Sequence, residues 1–170
     1  MKLKTNRLLI TDFTADMAYD VHVNSLDEDN RRFVPDEVFE TENDALETIE
    51  FLMSRYDSED GPFVHPIITE DGAKNIGYVQ LVRIEDGFEI GYHIAKAYTG
   101  NGYATEAVEA FLPYMAEKFG LEKIWGICLA DNIASVKVME KSGFNPVFSG
   151  VGDYQGEQRE IRKFIWETAQ

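Results

Sequence analysis

A single cysteine, Cys128, stands in the 170 residues, so no internal disulfide can staple the chain. That count fits a reducing compartment. Histidine is almost as scarce. His22, His65 and His93 are scattered, and no pair of ligands lies at zinc-like spacing, so no metal site is expected. No apolar run approaches the ~18 residues that cross a bilayer. The opening, MKLKTNRLLITDF, reaches Thr11 and Asp12 after too short an apolar stretch for a secretory leader. The expectation is a cytoplasmic protein without a membrane partner.

Basic residues are also in deficit. Lys and Arg number 16 against 31 Asp and Glu, a net charge of −15. Between residues 12 and 60 sixteen acids meet three bases (Arg31, Arg32 and Arg55), whereas from residue 61 onward fifteen acids meet ten bases. Such a surface repels phosphodiester backbones, which argues against nucleic acid as a partner. The acidic N-terminal third serves as a solvated face, or it attracts a cationic substrate. Otherwise the chain is ordinary: 44% apolar and 28% charged, long enough to bury a core as one domain over residues 1–170.

The apolar pattern changes period along the chain. Lys2 to Phe13 reads as a first strand and Ala15 to Ser25 as a helix. The acidic stretch Asp27 to Glu40, broken by Pro35, holds a short helix or a loop. Thr41 and Asp44 suit a capping box, opening a helix that presents Ala45, Ile49, Leu52, Met53 and Tyr56 on one face and ends before Asp60-Gly61-Pro62. Strands follow at Phe63 to Thr69, Ile76 to Ile84 and Phe88 to Ile94, turned by Glu70-Asp71-Gly72 and Asp86-Gly87, as an antiparallel meander. A helix spans Tyr103 to Phe119 with Gly120 as its left-handed cap. Pro113 inside it predicts a kink or an early end, since an interior proline costs ~3 kcal/mol. Lys123 to Leu129 reads as a strand covered on both faces, and Asn132 to Ser142 as a helix. Pro146 to Val151 and Arg159 to Trp166 read as final strands joined by the polar loop Gly152 to Gln158. The fold class is α/β.

Gly100-Asn101-Gly102-Tyr103-Ala104-Thr105 joins a strand to a helix. Two glycines at that spacing let main-chain N–H groups converge beside a helix N-terminus, a site suited to pyrophosphate; a connection without a ligand is the alternative. No Gly-Lys-Ser/Thr follows, which excludes a P-loop. Thr105 stands where a dinucleotide fingerprint wants Gly or Ala, and the preceding meander is antiparallel.

Gly91-Tyr92-His93-Ile94 with Tyr98-Thr99-Gly100-Asn101-Gly102-Tyr103-Ala104-Thr105-Glu106-Ala107 resembles the acyl-CoA loop of the GNAT N-acetyltransferases, most closely the RimJ/RimL branch. Asn132-Ile133-Ala134-Ser135, Lys141-Ser142-Gly143-Phe144 and the opening Thr5-Asn6-Arg7-Leu8-Leu9-Ile10 match further motifs of that branch in order. The resemblance implies a mixed, mostly antiparallel sheet splayed near its middle with helices on both faces, and acetyl-CoA as cosubstrate. It also implies direct acetyl transfer to a primary amine (a peptide N-terminus or a cationic small molecule) through a ternary complex. A catalytically silent acyl-CoA sensor is the rival. It gains from two departures: Ala97 replaces the family's Gln or Arg before the first glycine, and Met139 replaces a tyrosine acid.

Within that frame, Glu89 on a central strand is the candidate base, because burial raises a carboxyl pKa; a carboxylate at a wet strand end paired with Lys or Arg is the alternative. His93, four residues on, relays a proton or is structural. The N–H of Ile94 or Ala95 is a candidate oxyanion donor. Ser135 would donate to the departing sulfur and Asn132 would hold the pantetheine arm, unless both merely cap a helix. Lys137 and Lys141 share a helix face and meet the cofactor's 3′-phosphate or solvent. Cys128 reads as a small buried side chain. The C-terminal hairpin could supply a homodimer edge.

Overall fold

A computed structural model describes residues 1–71 and 73–169. Its strands are β1 (Lys2–Lys4), β2 (Leu8–Thr11), β3 (Phe63–Thr69), β4 (Asn75–Ile84), β5 (Gly87–Ile94), β6 (Lys123–Leu129), β7 (Asn145–Tyr154) and β8 (Glu157–Glu167). They form one sheet in the order β1-β2-β3-β4-β5-β6-β8-β7. The α-helices are α1 (Ala18–Asn24), α2 (Glu28–Phe33), α3 (Glu42–Arg55), α4 (Tyr103–Phe119) and α5 (Ile133–Lys141).

Neighbouring strands are antiparallel with one exception. β5 and β6 run parallel, and their ladder is a single rung, Glu89 opposite Trp125. By contrast β4 and β5 pair over eight residues each, from Gly77↔Ile94 to Ile84↔Gly87. The sheet is therefore held together near the start of β5 and parted beyond it. This is the open, mostly antiparallel α/β architecture that the motif resemblance implies.

Two apolar clusters clamp the sheet. On one face Val108, Phe111, Leu112 and Met115 of α4 and Met139 of α5 pack on Phe63, Ile67, Phe88 and Ile90. On the other, Ala18 of α1 and Ala45, Ile49 and Leu52 of α3 cover Val64, with Tyr78 alongside. Because β3 contributes to both, all seven of its residues are buried. Alternation along β5 then sends Phe88 and Ile90 toward α4 and leaves Glu89, Gly91 and His93 on the α1–α3 side.

Local sequence explains most boundaries. Thr41 accepts from the Asp44 N–H at 3.0 Å while the Asp44 carboxylate accepts from the Thr41 N–H at 3.2 Å, so the capping box forms as expected. Gly120 caps α4 in the left-handed region at φ 64°. α4 runs its full length through Pro113, contrary to an early end; Pro113 is exposed, so water can satisfy the carbonyl it leaves unpaired. Met53 lies outside the buried face of α3, 42% exposed.

Other expectations are corrected. The first strand is two, since Thr5 turns the chain: its N–H donates to the Leu8 carbonyl and its hydroxyl accepts from the Leu8 N–H. β6 is half covered rather than sealed, with alternate residues facing the split. The polar loop expected at Gly152 to Gln158 is mostly strand, and β7–β8 is a long hairpin turned at Gln155-Gly156. β7 forms a sheet edge exposed on both faces, where polar residues fit a ladder without alternating. The turn expected at Glu70-Asp71-Gly72 includes Gly72, which lies outside the described residues.

Candidate active site

Where β5 and β6 part, a cleft of about 1020 Å³ opens through the sheet. Glu89, Tyr92, His93 and Ile94 line it from β5, and Trp125, Ile127 and Cys128 from β6. Asn132, Ser135 and Met139 close it from α5, while Asp27, Asn30 and Glu37 form a wall from the acidic N-terminal third.

Main-chain direction decides which candidate amide faces the split. The Ala95 N–H donates to the Ile76 carbonyl at 2.7 Å, so it belongs to the sheet and cannot serve as an oxyanion donor. Amide directions alternate along an antiparallel ladder, which turns the Ile94 N–H the opposite way, into the gap. Of the two candidate donors, geometry leaves Ile94.

At the mouth of the split lies the glycine loop. Gly100 and Gly102 adopt φ +79° and +78°, and Gly102 precedes Tyr103 as the N-cap of α4. No side chain caps the helix start, leaving the N–H groups around Tyr103, Ala104 and Thr105 free for an anion. Asn101 shapes the loop instead: its Nδ2 donates to the carbonyls of Tyr98 (3.1 Å) and Thr99 (3.2 Å). Thr99 and Ala104 line the cleft. A carboxylate in the first helical turn, Glu106, would repel a diphosphate, but it is neutralised. Arg7 Nε donates to it at 2.7 Å, and the Arg7 N–H and Thr5 hydroxyl donate at 2.9 and 2.7 Å. Although burial opposes ionisation, these bonds hold Glu106 below the usual carboxylate range. Arg7 also lies over the Tyr103 ring. Ala97 adds no side-chain donor here, so what the loop offers an anion is its main-chain N–H groups.

Glu89 sits at the rung that holds the strands together. Burial pushes its carboxyl up to about 7, with Lys163 drawing it partly back. Among the described residues Glu89 makes no ion pair, although Lys163 lines the same cleft. Burial lowers the His93 pKa from its ordinary value, against the pull of Asp27, whose Oδ2 lies 3.9 Å from Nε2. Nε2 has no hydrogen-bond partner. Asn132 does cap α5, its Oδ1 accepting from the Ser135 N–H at 3.2 Å, and it also lines the cleft. The Ser135 carbonyl accepts from the Tyr92 hydroxyl at 3.0 Å, tying α5 to β5 across the split. Lys137 and Lys141 are exposed, and neither lines the cleft. Met139 is buried against Gly126, so the position of the absent tyrosine packs in the core. Cys128 is buried, and desolvation pushes its thiol up to about 11.

Sequence reasoning did not single out Glu37 or Asn30, and it met Arg7 only as part of the opening motif. Pro35 at the start of a 3-10 turn, Pro35–Glu37, is the one local signal that could have placed Glu37 at a fixed point. Arg7 meets Glu106 across 99 residues of sequence, and nothing local marks the pair.

Residues 7–145 match the family model of the acetyltransferase (GNAT) domain. The chain belongs to the GNAT acetyltransferases. YnaD of Bacillus subtilis (strain 168), an uncharacterised N-acetyltransferase, is 31% identical over 145 residues, covering 84% of this chain and 82% of that protein. A GNAT-family acetyltransferase from Bacillus anthracis superposes with a TM-score of 0.84 at 26% identity over 98% of each chain. The microcin C7 self-immunity acetyltransferase MccE, solved with acetyl-CoA and AMP, shares the fold at a TM-score of 0.79 and 16% identity, over 96% of this chain and 94% of that one. In this GNAT enzyme the split between β5 and β6 and the uncapped start of α4 adjoin one cleft. Among the described residues no helix is long and apolar enough to cross a membrane, and no cluster of His, Cys, Asp or Glu is placed to hold a metal.

Proposed function

We propose that the protein is a cytoplasmic N-acetyltransferase of the RimJ/RimL-like branch that moves acetyl from acetyl-CoA directly onto a primary amine in a ternary complex. The observation that carries this reading is the one-rung contact between β5 and β6, which leaves a polar gap leading from the bare α4 N-terminus to Glu89 and His93. When bound, acetyl-CoA supplies a thioester carbonyl open to attack by nitrogen.

The chain's own residues then divide the work. Gly100, Asn101, Gly102, Tyr103, Ala104 and Thr105 present the loop and main-chain donors that hold the diphosphate. Asn132 and Ser135 line the path of the pantetheine arm. Glu89, near 7, takes the proton that the attacking amine must lose, with His93 passing it through water. The Ile94 N–H stabilises negative charge developing on the carbonyl oxygen. The Ser135 hydroxyl would hydrogen-bond the leaving sulfur, passing it a proton only as it takes one back from water that carries the proton lost by the amine. Lys137 stands too far out to hold more than the cofactor's peripheral phosphate. A covalent route through Cys128 is disfavoured by its raised thiol pKa. The acids on the cleft wall favour a cationic acceptor, and the free edge of β7 offers a pairing surface for a homodimer.

The test is thiol release from acetyl-CoA with a panel of primary amines. Amine-dependent release supports transfer; tight acetyl-CoA binding with no release on any amine supports the silent sensor.

A further inference from the structure

Behind the cleft, under α1 and α3, lies a second cavity of about 330 Å³. That is the low end of the range for small-molecule sites. Its floor is apolar: Phe13, Val21, Phe39, Ile49, Leu52 and Val64. Asn30, Glu37, Tyr78, Gln80, Val82 and His93 line both this pocket and the cleft, so the two spaces meet across these side chains.

The inner pocket carries an unusual set of unpaired polar atoms. Asn30 Oδ1, Glu37 Oε2, Asn75 Nδ2 and His93 Nε2 are buried without a hydrogen-bond partner, and all four residues line the inner pocket. Native proteins rarely leave buried polar atoms unpaired, and a group of them facing a cavity calls for a ligand. The asparagines are pinned in the orientation that creates the need. Asn30 Nδ2 donates to the carbonyls of Ser25 (2.8 Å) and Glu37 (3.1 Å), leaving its oxygen free. Asn75 Oδ1 accepts from the Gly77 N–H at 3.0 Å, leaving its nitrogen free. Each is only 4% exposed. Glu37 is the acid of this group, and burial pushes its carboxyl up to about 7, with Gln80 drawing it partly back. A cation beside it would relieve that cost.

Accepting the amine-transfer reading above, we infer that the acceptor is a monoamine on a compact apolar body, with its ammonium group between Glu37 and Asn30 and its body in the pocket beneath α1 and α3. A polyamine or an aminoglycoside would place charge or hydroxyls against Phe13, Ile49 and Leu52, where burying them is costly. The amine nitrogen at the junction lies on the wall shared with His93 and the cleft. An apolar amine and the N-terminus of a peptide with an apolar first residue share this chemistry.

Calorimetric titration of the whole protein with 2-phenylethylamine, spermidine and a Phe-Ala-Ala amide peptide tests the inference without requiring turnover. Steady-state rates with acetyl-CoA follow for the same three probes. The expected result is that 2-phenylethylamine or the peptide binds at least tenfold more tightly than spermidine. The tighter of the two names the source of the amine. Glu37→Gln and Val21→Phe, both checked for an intact thermal transition, should each weaken that binding at least tenfold while the KM for acetyl-CoA stays within twofold. Spermidine binding equally or better, or full binding by both folded variants, overturns the inference. Selective binding of the apolar amine with no thiol release on any probe upholds the pocket and sinks the transfer reading instead.

Discussion

Glu89 and Glu37 are carboxyls whose burial raises them to about 7; both line the cleft, and of the two Glu37 alone also lines the inner pocket. Glu89 sits on the rung where β5 meets β6, so its ionised form is available to take a proton inside the split. Glu89→Gln should lower the rate at neutral pH by about 10², the usual scale for a positioned base. It should also flatten the acid limb, where the wild-type rate rises as pH passes through 7; an unchanged profile removes Glu89 from catalysis. Stability shows the same shifts with opposite consequence. A carboxyl whose folded pKa exceeds its unfolded value binds protons more tightly when folded, so its stabilisation is full below about 4.5 and is lost as pH rises to about 7. Glu37→Gln should therefore raise the melting temperature at pH 8 and leave it near wild type at pH 4.5, measured by scanning calorimetry. A loss of stability at pH 8 would mean that Glu37 is already paired in the free protein. Glu89 was legible in the sequence because a lone acid in a β-rich run is conspicuous. Glu37 was not, because it sits among many acids and only the packing of Asn30 and Gln80 around it makes it unlike the rest.

Among the elements, those with a local code matched the reading most closely. Thr41 with Asp44 announces α3, Gly120 ends α4, and β3 and β6 fall on the expected residues because each is bounded by turn-forming sequence. Where the determinant is a distant partner the reading fell short. Thr5 and Arg7, between β1 and β2, are both held by Glu106 far along the chain, whereas the length of β7 and β8 follows from their mutual pairing in one hairpin. The loop before α4 combines both kinds of information. Its glycines are visible in sequence, whereas the neutralised Glu106 that makes the helix start receptive is not. A Cβ at Gly102 meets little beyond an ordinary contact with Arg7, so the cost of Gly102→Val is conformational. A branched residue at φ +78° loses about 1–2 kcal/mol, and relaxing that strain turns the N–H groups away from their common point. The KM for acetyl-CoA should rise about tenfold or more, equivalent to ~1.4 kcal/mol. A variant with wild-type KM would show that the loop does not bind the cofactor.

The whole molecule has two halves that face each other across one rung. α4 and α5 pack on one face of the sheet and α1 and α3 on the other, and residues of β5, β6, α5 and the acidic N-terminal third line the cleft between. This division was legible as an order of motifs, because the GNAT resemblance covers nearly the whole chain. The inner pocket was not, since it arises where α1 and α3 arch over β4 and no short segment encodes it. Ligand selectivity should report on the cofactor side as a unit. Acetyl-CoA at 100 times its dissociation constant stabilises by about 2.7 kcal/mol, on the order of 5–10 °C for a chain this size. NAD and ATP should give no comparable shift in a thermal melt, and an equal shift with ATP would make the site a general nucleotide pocket.

The decisive measurement is a crystal structure of the protein grown with acetyl-CoA. The account requires the diphosphate on the main-chain donors around Gly102 to Thr105 and the thioester between the Ile94 N–H and Ser135, with β5 and β6 still joined only near Glu89 and Trp125. A cofactor bound elsewhere, or the two strands paired along their length, would contradict it.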